Sequence, residues 1–96
     1  MTIYRLTFLR DAKKEWDKLA TPTRKQFEKK LAERLDHPRV PSAKLRELPD
    51  CYKIKLRAAG YRLIYRVDDG RIVVIVIAVG RRDGDEAYSL AAGRLS

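Results

Sequence analysis

The order of hydrophobic and polar positions along this chain of 96 residues predicts a strand, two helices and then a series of strands. Residues 2–9 (TIYRLTFL) are β-branched and aromatic with partial alternation, which is typical of an opening strand. Ala12, Trp16 and Leu19 follow at the i, i+4, i+7 spacing of one helix face. Asp11 stands just before this face and is expected to cap the helix.

A second helix is predicted from the start signal Thr21-Pro22, in which a hydroxyl N-cap is followed by proline. The helix is expected to end before His37-Pro38, because a residue that precedes proline disfavours the helical conformation. Its apolar stripe is formed by three residues about one turn apart: Phe27, Leu31 and Leu35. Lys and Arg cover most of the remaining surface, as on a solvated helix face.

The second half of the chain predicts further strands. Residues 44–48 (KLREL) alternate briefly and are expected to form a short edge strand that stops at Pro49-Asp50. The next two strands are joined around Ala59-Gly60, and an Asp-Gly turn at residues 68–70 leads to residues 71–80 (RIVVIVIAVG). This last run is almost unbroken apolar, so we expect it in the middle of the sheet.

Residues 85–95 predict a weak C-terminal helix, because Gly93 disfavours helical structure. No repeat, low-complexity segment or linker interrupts the chain. The length and a hydrophobic content of 45% predict one globular domain that comprises residues 1–96.

The two strands around Ala59-Gly60 carry five cations and no acid: Lys53, Lys55, Arg57, Arg62 and Arg66. A two-residue turn would pair Arg57 with Arg62 and Lys53 with Arg66, so that all five lie on one open face of the sheet. Like charges across a sheet destabilise it by roughly 0.2–1 kcal/mol a pair. We therefore interpret this face as a phosphate-binding surface, although a sheet surface that is basic by chance remains the alternative.

Charge and composition narrow the possible partners. Twenty-two Lys and Arg against thirteen Asp and Glu give a net charge of +9, which favours nucleic acid, a membrane surface or an acidic protein, unless the charge serves only solubility. A single cysteine excludes an internal disulfide and a Cys-based zinc site and fits the cytoplasm. Neither a signal peptide nor a run of ~18 apolar residues is present, so no membrane association is predicted.

The residue composition also excludes most of the usual catalytic mechanisms. His37 is the only histidine, which rules out a two-histidine ribonuclease, and the acids are too scattered to predict a metal site. Cations remain: neighbouring lysines lower each other's pKa, and arginine stabilises a pentacoordinate phosphate. Because RNA carries its own 2′-hydroxyl nucleophile, a metal-free ribonuclease is chemically feasible, yet spacing alone ranks passive RNA binding higher.

Four further residues are expected at the rim of the basic face. Arg81-Arg82 follow the central strand directly, and Arg46 lies on the predicted edge strand. Tyr88 comes six residues later and is placed to stack on a base, a contact worth ~1–3 kcal/mol in single-stranded binding. Packing of the C-terminal helix explains Tyr88 equally well.

Two long runs, LRELPDCYKIKLRAAGYRLIYRV and VVIVIAVGRRDGDEAY, resemble the RelE toxins of bacterial toxin–antitoxin modules, and AKKEWDKL with the Lys-rich second helix extends the resemblance over essentially the whole chain. The resemblance implies an α+β fold of order β-α-α-β-β-β-β, with two helices packed on one face of a mainly antiparallel sheet, plus a C-terminal helix. The segment Asp83-Gly84-Asp85 departs from the basic or Glu-rich residues expected there.

The resemblance also implies an activity: an mRNA interferase that cuts the codon in the ribosomal A site by 2′-hydroxyl attack, giving a 2′,3′-cyclic phosphate. Lys53 or Lys55 would be the base, and Arg62 would stabilise the phosphate. Arg82 would serve the leaving group, and Tyr88 would orient or stack the base. The further RNA contacts expected from the basic face and its rim are Arg46, Arg57, Arg66 and Arg81.

Partners follow from the same resemblance. They are mRNA, the 70S ribosome with its rRNA, and an acidic RelB-type antitoxin that neutralises the toxin and joins it in repressing their operon, so that operator DNA is contacted only through the complex. No cofactor and no metal are expected. Two alternatives stay open: a non-catalytic RNA- or ribosome-binding module, and an inactive relative that serves only in antitoxin complexes.

Overall fold

The computed structural model describes residues 3–96 and contains a four-stranded sheet with helices on both faces. In chain order the helices and strands are β1 (Arg5–Phe8), α1 (Arg10–Asp17), α2 (Thr21–Asp36), β2 (Cys51–Leu56), β3 (Tyr61–Asp68), β4 (Val73–Arg81) and α3 (Glu86–Leu95). The strand order is β1-β4-β3-β2, with β1 parallel to β4 and the other pairs antiparallel. The α+β class and the mainly antiparallel sheet are confirmed.

The first half of the chain differs from its prediction only at the ends of its elements. The opening strand begins at Arg5, and Thr2 lies outside the described residues. Asp11 does not cap α1, because it lies inside the first turn and Leu9 occupies the cap position. Helix α2 starts one residue earlier than predicted, with Ala20 as its cap, and ends at Asp36 as predicted.

The predicted edge strand at residues 44–48 is wrong. Only an isolated bridge joins Lys44 to Tyr52. The Leu45 N–H donates to the Cys51 carbonyl at 2.9 Å, and the Cys51 N–H donates to the Leu48 carbonyl at 3.1 Å. These bonds fold the segment into a tight turn ahead of β2, so the described part of the sheet has four strands instead of five.

The two-residue turn between β2 and β3 is also wrong. The connection has four residues, 57–60, and Lys55 rather than Arg57 pairs with Arg62. A two-residue turn of the favoured hairpin type requires positive φ at both central residues, whereas only Gly60 adopts it here, at +71°. Its N–H donates to the carbonyls of both Leu56 and Arg57. The register moves by two residues, so every side chain keeps its predicted face.

Two hydrophobic clusters lie on opposite faces of the sheet. Helices α1 and α2 cover one face, where Trp16 and Phe27 pack with Tyr65. Helix α3 covers part of the other, where Ala87 and Ala91 pack against Ile64. The basic face is therefore not open along its whole length, which corrects the prediction. Strand β4 lies between β1 and β3, in the middle of the sheet as predicted.

Helix α3 is fixed to the sheet by a charged cluster. Arg94 donates to both carboxylate oxygens of Glu15 on α1, at 3.0 and 2.5 Å, and to the Ile77 carbonyl at 2.8 Å. Glu15 also accepts the Val79 N–H at 3.0 Å. Because this N–H lies beyond the end of β1, the carboxylate replaces a missing strand partner. The cluster thus joins α1, β4 and α3. Within residues 3–96 no helix has the length and apolar character to cross a membrane.

Candidate active site

A cavity of about 360 Å³ opens where β2, β3 and the start of α3 meet, and it contains charges of both signs. Four of the predicted site residues line it: Arg46, Lys53, Arg62 and Tyr88. Two carboxylates that the sequence analysis did not single out, Glu47 and Asp85, line it as well. The structure therefore brings three of the predicted cations and Tyr88 together around one concave site.

Arg62 is the most constrained cation of this site. Its side chain is only 17% exposed, and Nη1 donates to Asp85 Oδ1 at 2.7 Å. Its Nε is buried without a hydrogen-bond partner among residues 3–96. Across the strands, Arg62 pairs with Gly80, where a Cβ would come within 3.0 Å of the Ala87 nitrogen. The glycine therefore lets α3 start close to Arg62, and the guanidinium keeps donor capacity for a bound anion.

Asp85 reaches Arg62 through an unusual backbone. Gly84 and Asp85 both have positive φ, +69° and +52°, at the kink between a short 3-10 helix (Asp83–Asp85) and α3. Glycine adopts this region freely, and aspartate is among the residues enriched there. The departure Asp83-Gly84-Asp85 in the sequence thus has a structural result, which is a carboxylate on Arg62. This segment was noted as a departure in the sequence, but no role was assigned to Asp85.

Tyr88 is held by the second carboxylate. Its hydroxyl donates to Glu47 Oε2, and this hydrogen bond is the main cause that raises the Tyr88 pKa, followed by burial and by the charges of Glu47 and Asp85. The ring also packs against the hydrophobic cluster under α3. Both interpretations of Tyr88 therefore apply to part of its side chain: the ring packs under α3, and the hydroxyl lies in the cavity. Because its pKa is raised, the phenol stays protonated at neutral pH.

Lys53 and Lys55 project from the same face of β2, and Lys55 lies directly across from Arg62. The charge of Lys53 is the main cause that lowers the Lys55 pKa, followed by burial and by Arg62, Arg57 and Arg82. A cation surrounded by cations gives up its proton more readily. The surrounding cations therefore favour the neutral, basic form of Lys55.

The remaining predicted residues lie at different distances from the cavity. Lys55, Arg57 and Arg82 do not line it. Arg57 and Arg82 are exposed on the loops that follow β2 and β4, where their charges act on Lys55 and the Arg82 N–H donates to the Gly60 carbonyl at 2.9 Å. Arg66 shares the face but lies opposite Cys51, at the far end of the hairpin. Arg81 is on the other face, with its guanidinium 5.6 Å from the centre of the Tyr61 ring. The structure thus brings Arg57 and Arg82 near Lys55, outside the cavity lining, and separates Arg66 and Arg81 from both.

No group of three or more potential metal ligands (His, Cys, Asp or Glu) occurs among residues 3–96. Glu47 and Asp85 are already engaged by Tyr88 and Arg62. Cys51 is fully buried, and burial raises the pKa of its thiol to about 11, so it packs in the core and is not a nucleophile. The chemistry available in the site is therefore that of lysine, arginine and tyrosine acting on an anion.

Known proteins share both this sequence and this fold. Residues 6–86 match the family described as the ParE toxin of the type II toxin–antitoxin system parDE. Over 92 residues, 96% of this chain and 97% of the relative, the sequence is 53% identical to the mRNA interferase toxin RelE of Escherichia coli K12.

Solved structures of related proteins have the same fold as this chain. An arginine-to-alanine mutant of the E. coli RelE toxin in the free state has a TM-score of 0.91 at 50% identity and covers 99% of this chain and 100% of its own. The RelE chain of the intact E. coli RelBE toxin–antitoxin complex has a TM-score of 0.80 at 55% identity, over 81% of this chain and 95% of its own. The chain therefore belongs to the RelE toxins of the RelE/ParE family of type II toxin–antitoxin systems.

Proposed function

We propose that this protein is a ribosome-dependent mRNA interferase that cleaves mRNA at the A-site codon and so inhibits translation in the cytoplasm. The observation that carries the proposal is the cavity that Arg62, with a free Nε donor, lines together with Lys53 and Tyr88, and Lys55 is the cross-strand neighbour of Arg62. The relative at 53% identity is named an mRNA interferase, and the cations here suit phosphodiester chemistry.

In the proposed reaction Lys55, in its neutral form, takes the proton of the 2′-hydroxyl. The 2′-oxygen then attacks the adjacent phosphorus, the bond from phosphorus to the 5′-oxygen breaks, and a 2′,3′-cyclic phosphate remains. Arg62 exchanges Asp85 for the phosphate and stabilises its additional negative charge. Arg82 stabilises the negative charge on the departing 5′-oxygen, which takes its proton from water, and Tyr88 orients the base.

Dependence on the ribosome follows from the weakness of this acid–base set. Lysine and arginine provide charge but no proton donor matched to neutral pH. Correct positioning of the 2′-hydroxyl must therefore supply much of the acceleration, and such positioning can contribute ~7–11 kcal/mol. A ribosome that holds the codon in an extended conformation provides it, whereas free RNA does not.

The proposed partner is an acidic RelB-type antitoxin, which neutralises the toxin and forms with it the complex that represses their operon. The net charge of +9 favours such a partner. RelE chains bound to antitoxin are known from E. coli, including a RelE mutant with an antitoxin peptide, which has a TM-score of 0.82 to this chain at 52% identity.

A non-catalytic ribosome-binding module is the second candidate, because exposed cations also bind RNA passively. Arg62→Ala separates the two. If the protein is an enzyme, the substitution reduces single-turnover cleavage by about 10²–10³-fold, as expected for loss of a transition-state donor, with a modest change in ribosome affinity. If the protein is only a binding module, Arg62→Ala lowers its affinity for the ribosome, and neither the variant nor wild type cuts RNA. Growth arrest on expression without antitoxin would exclude the third candidate, an inactive relative.

A further inference from the structure

A second groove, of about 240 Å³, lies along β2, between this strand and α2. Every charged side chain that lines it is a cation: Lys30, Arg34, Lys53, Lys55 and Arg57. Ser42 adds a hydroxyl. Neither the sequence analysis nor the proposed reaction assigns a role to Lys30, Arg34 or Ser42.

Arg34 is held in place by the core beneath the groove. Its Nη1 donates to the Tyr65 hydroxyl at 2.9 Å and to the Lys53 carbonyl at 3.2 Å, and its guanidinium lies 5.7 Å from the centre of the Tyr65 ring. Tyr65 is fully buried, and its hydroxyl donates to the Pro38 carbonyl at 2.6 Å. Among residues 3–96 these bonds use only Nη1 of Arg34, so Nε and Nη2 are preorganised donors for an anion.

Charge pairing distinguishes this groove from the rest of the surface. Several arginines outside the groove have carboxylate partners: Arg39 binds Asp50 and Asp69, and Arg94 binds Glu15. No carboxylate lines the groove. Five cations without an acid repel one another, and this cost is offset when an anion binds.

The groove is continuous with the candidate active site. Lys53 lines both cavities, and Lys55, in the groove, lies opposite Arg62, in the active site. A polyanion whose reacting phosphate is at Arg62 would therefore reach the groove around the edge of β2. Ala43 and Ile54 are the apolar residues of its lining, and both are buried. A surface with so few apolar anchors suits a phosphate backbone better than a peptide.

We propose that this groove binds the backbone of an RNA strand through Lys30 and Arg34, and that it thereby holds the substrate complex beside the reacting phosphate. This inference rests on the proposed function, because it extends the same site. The contacts are with phosphates, so binding is independent of sequence and sensitive to salt. The strand belongs either to mRNA or to ribosomal RNA, which share this chemistry.

The test compares Lys30→Ala with Lys29→Ala, a neighbouring exposed lysine on α2 that does not line the groove. The dissociation constant for programmed ribosomes and the kinetics of mRNA cleavage are measured over a series of salt concentrations. Lys30→Ala is expected to weaken binding several-fold and to reduce the slope of log K against log salt by roughly 0.7–1, while the rate at saturation is unchanged. Lys29→Ala should behave as wild type.

A cross-linking arm identifies the RNA. Ser42→Cys introduces an exposed thiol, and the native Cys51 is fully buried, so a photoactivatable maleimide labels residue 42 selectively. Cross-links to mRNA or to ribosomal RNA both support the groove and assign its ligand. If residue 42 cross-links to neither RNA and the two lysine variants bind ribosomes equally, the proposal is wrong.

Two other outcomes are distinguishable. If Lys30→Ala weakens binding to poly-glutamate, used as an acidic-peptide probe, but binds ribosomes like Lys29→Ala, the groove serves an acidic protein segment and the RNA proposal fails. If wild type binds programmed ribosomes without cutting mRNA, the proposed function fails. The salt slope and the cross-links still decide in that case whether the groove holds RNA.

Discussion

At the scale of single residues, the free protein holds Arg62 against a carboxylate. Asp85 occupies the guanidinium that the proposed reaction needs for phosphate, and Glu47 occupies the Tyr88 hydroxyl. A substrate phosphate can use the free Nε of Arg62 but competes with Asp85 for Nη1. The Asp85 carboxylate is therefore expected to lower the affinity of the site for phosphate without taking part in the proposed reaction.

Substitution of Asp85 by asparagine should strengthen substrate binding. The change keeps the shape of the side chain and removes its charge, so phosphate competes for Arg62 against a weaker partner. Since an ion pair of this exposure is worth about 0.2–1 kcal/mol, KM in ribosomal mRNA cleavage should fall by up to about fivefold. Asp83→Asn, in the same 3-10 turn, is the control. A KM that is unchanged or higher in Asp85→Asn alone would contradict the competition.

The identity of the base predicts a pH shift. A lysine base acts only when neutral, so the cleavage rate rises with pH until the pKa of Lys55 is passed. The charge of Lys53 is the main cause that lowers this pKa. Lys53→Met should therefore raise the Lys55 pKa and move the rising limb to higher pH. Single-turnover rates across a pH series measure the shift, with Lys25→Met on α2 as control, and a limb that does not move would exclude Lys55 as the base.

At the scale of strands and helices, the position of α3 depends on Glu15. This carboxylate accepts hydrogen bonds from Arg94 and from the Val79 N–H. Loss of its charge therefore weakens both interactions at once. Glu15→Gln should lower the free energy of unfolding by about 1–3 kcal/mol, because hydrogen bonds to a charged group are involved. Urea denaturation measures it, and Glu28→Gln on the exposed surface of α2 should have little effect. Equal stability of the two variants would show that packing alone fixes α3.

A second charged network joins the loops at the opposite end of the sheet. The Tyr4 hydroxyl donates to Asp69 at 2.6 Å and Arg39 donates at 2.8 Å. These hydrogen bonds, with the Tyr4 bond first, lower the Asp69 pKa. The stabilisation is therefore present above the ordinary aspartate pKa and is lost as pH falls through the lowered value.

Substitution of Asp69 by asparagine tests whether the stabilisation by this carboxylate is lost as the pH falls. The difference in unfolding free energy between wild type and Asp69→Asn should be largest near neutral pH and should shrink in acid, as measured by chemical denaturation over a pH series. A difference that stays constant down to acid pH would show that the carboxylate charge contributes nothing.

The strands and helices were largely predictable because each has a strong local pattern. The apolar run of β4 and the stripe of Phe27 on α2 required no tertiary information. The hairpin register was not predictable from alternation, since a slip of two residues leaves every side chain on its face. It depended on the positive φ of Gly60, which the sequence permits but does not require.

The site was predictable in part for a similar reason. Strand alternation is enough to place Lys53, Lys55 and Arg62 on one face. Glu47 and Asp85 enter the cavity through a tight turn and a left-handed kink, whose geometry depends on contacts made far along the chain. The same holds for Arg34, which reaches the groove only because Tyr65 lies beneath it.

At the scale of the whole molecule, the chain has a net charge of +9, and both of its cationic cavities lie beside one strand, β2. The active site lies on one side of β2 and the second groove on the other, and both draw on Lys53. This arrangement gives one polyanion a continuous cationic path that ends at the reacting phosphate. Binding of the protein to ribosomes should therefore weaken steeply as salt rises.

Cleavage of mRNA on ribosomes with a defined A-site codon, in parallel with the same mRNA free in solution, tests the central claim most directly. Wild type should cut within the A-site codon, leave a 2′,3′-cyclic phosphate and spare free mRNA. Arg62→Ala should abolish the cut, and Arg71→Ala, which removes an equal charge on an exposed turn away from the cavity, should retain it. Ribosome binding by wild type without any cut would contradict the enzymatic assignment and leave a cationic binding module.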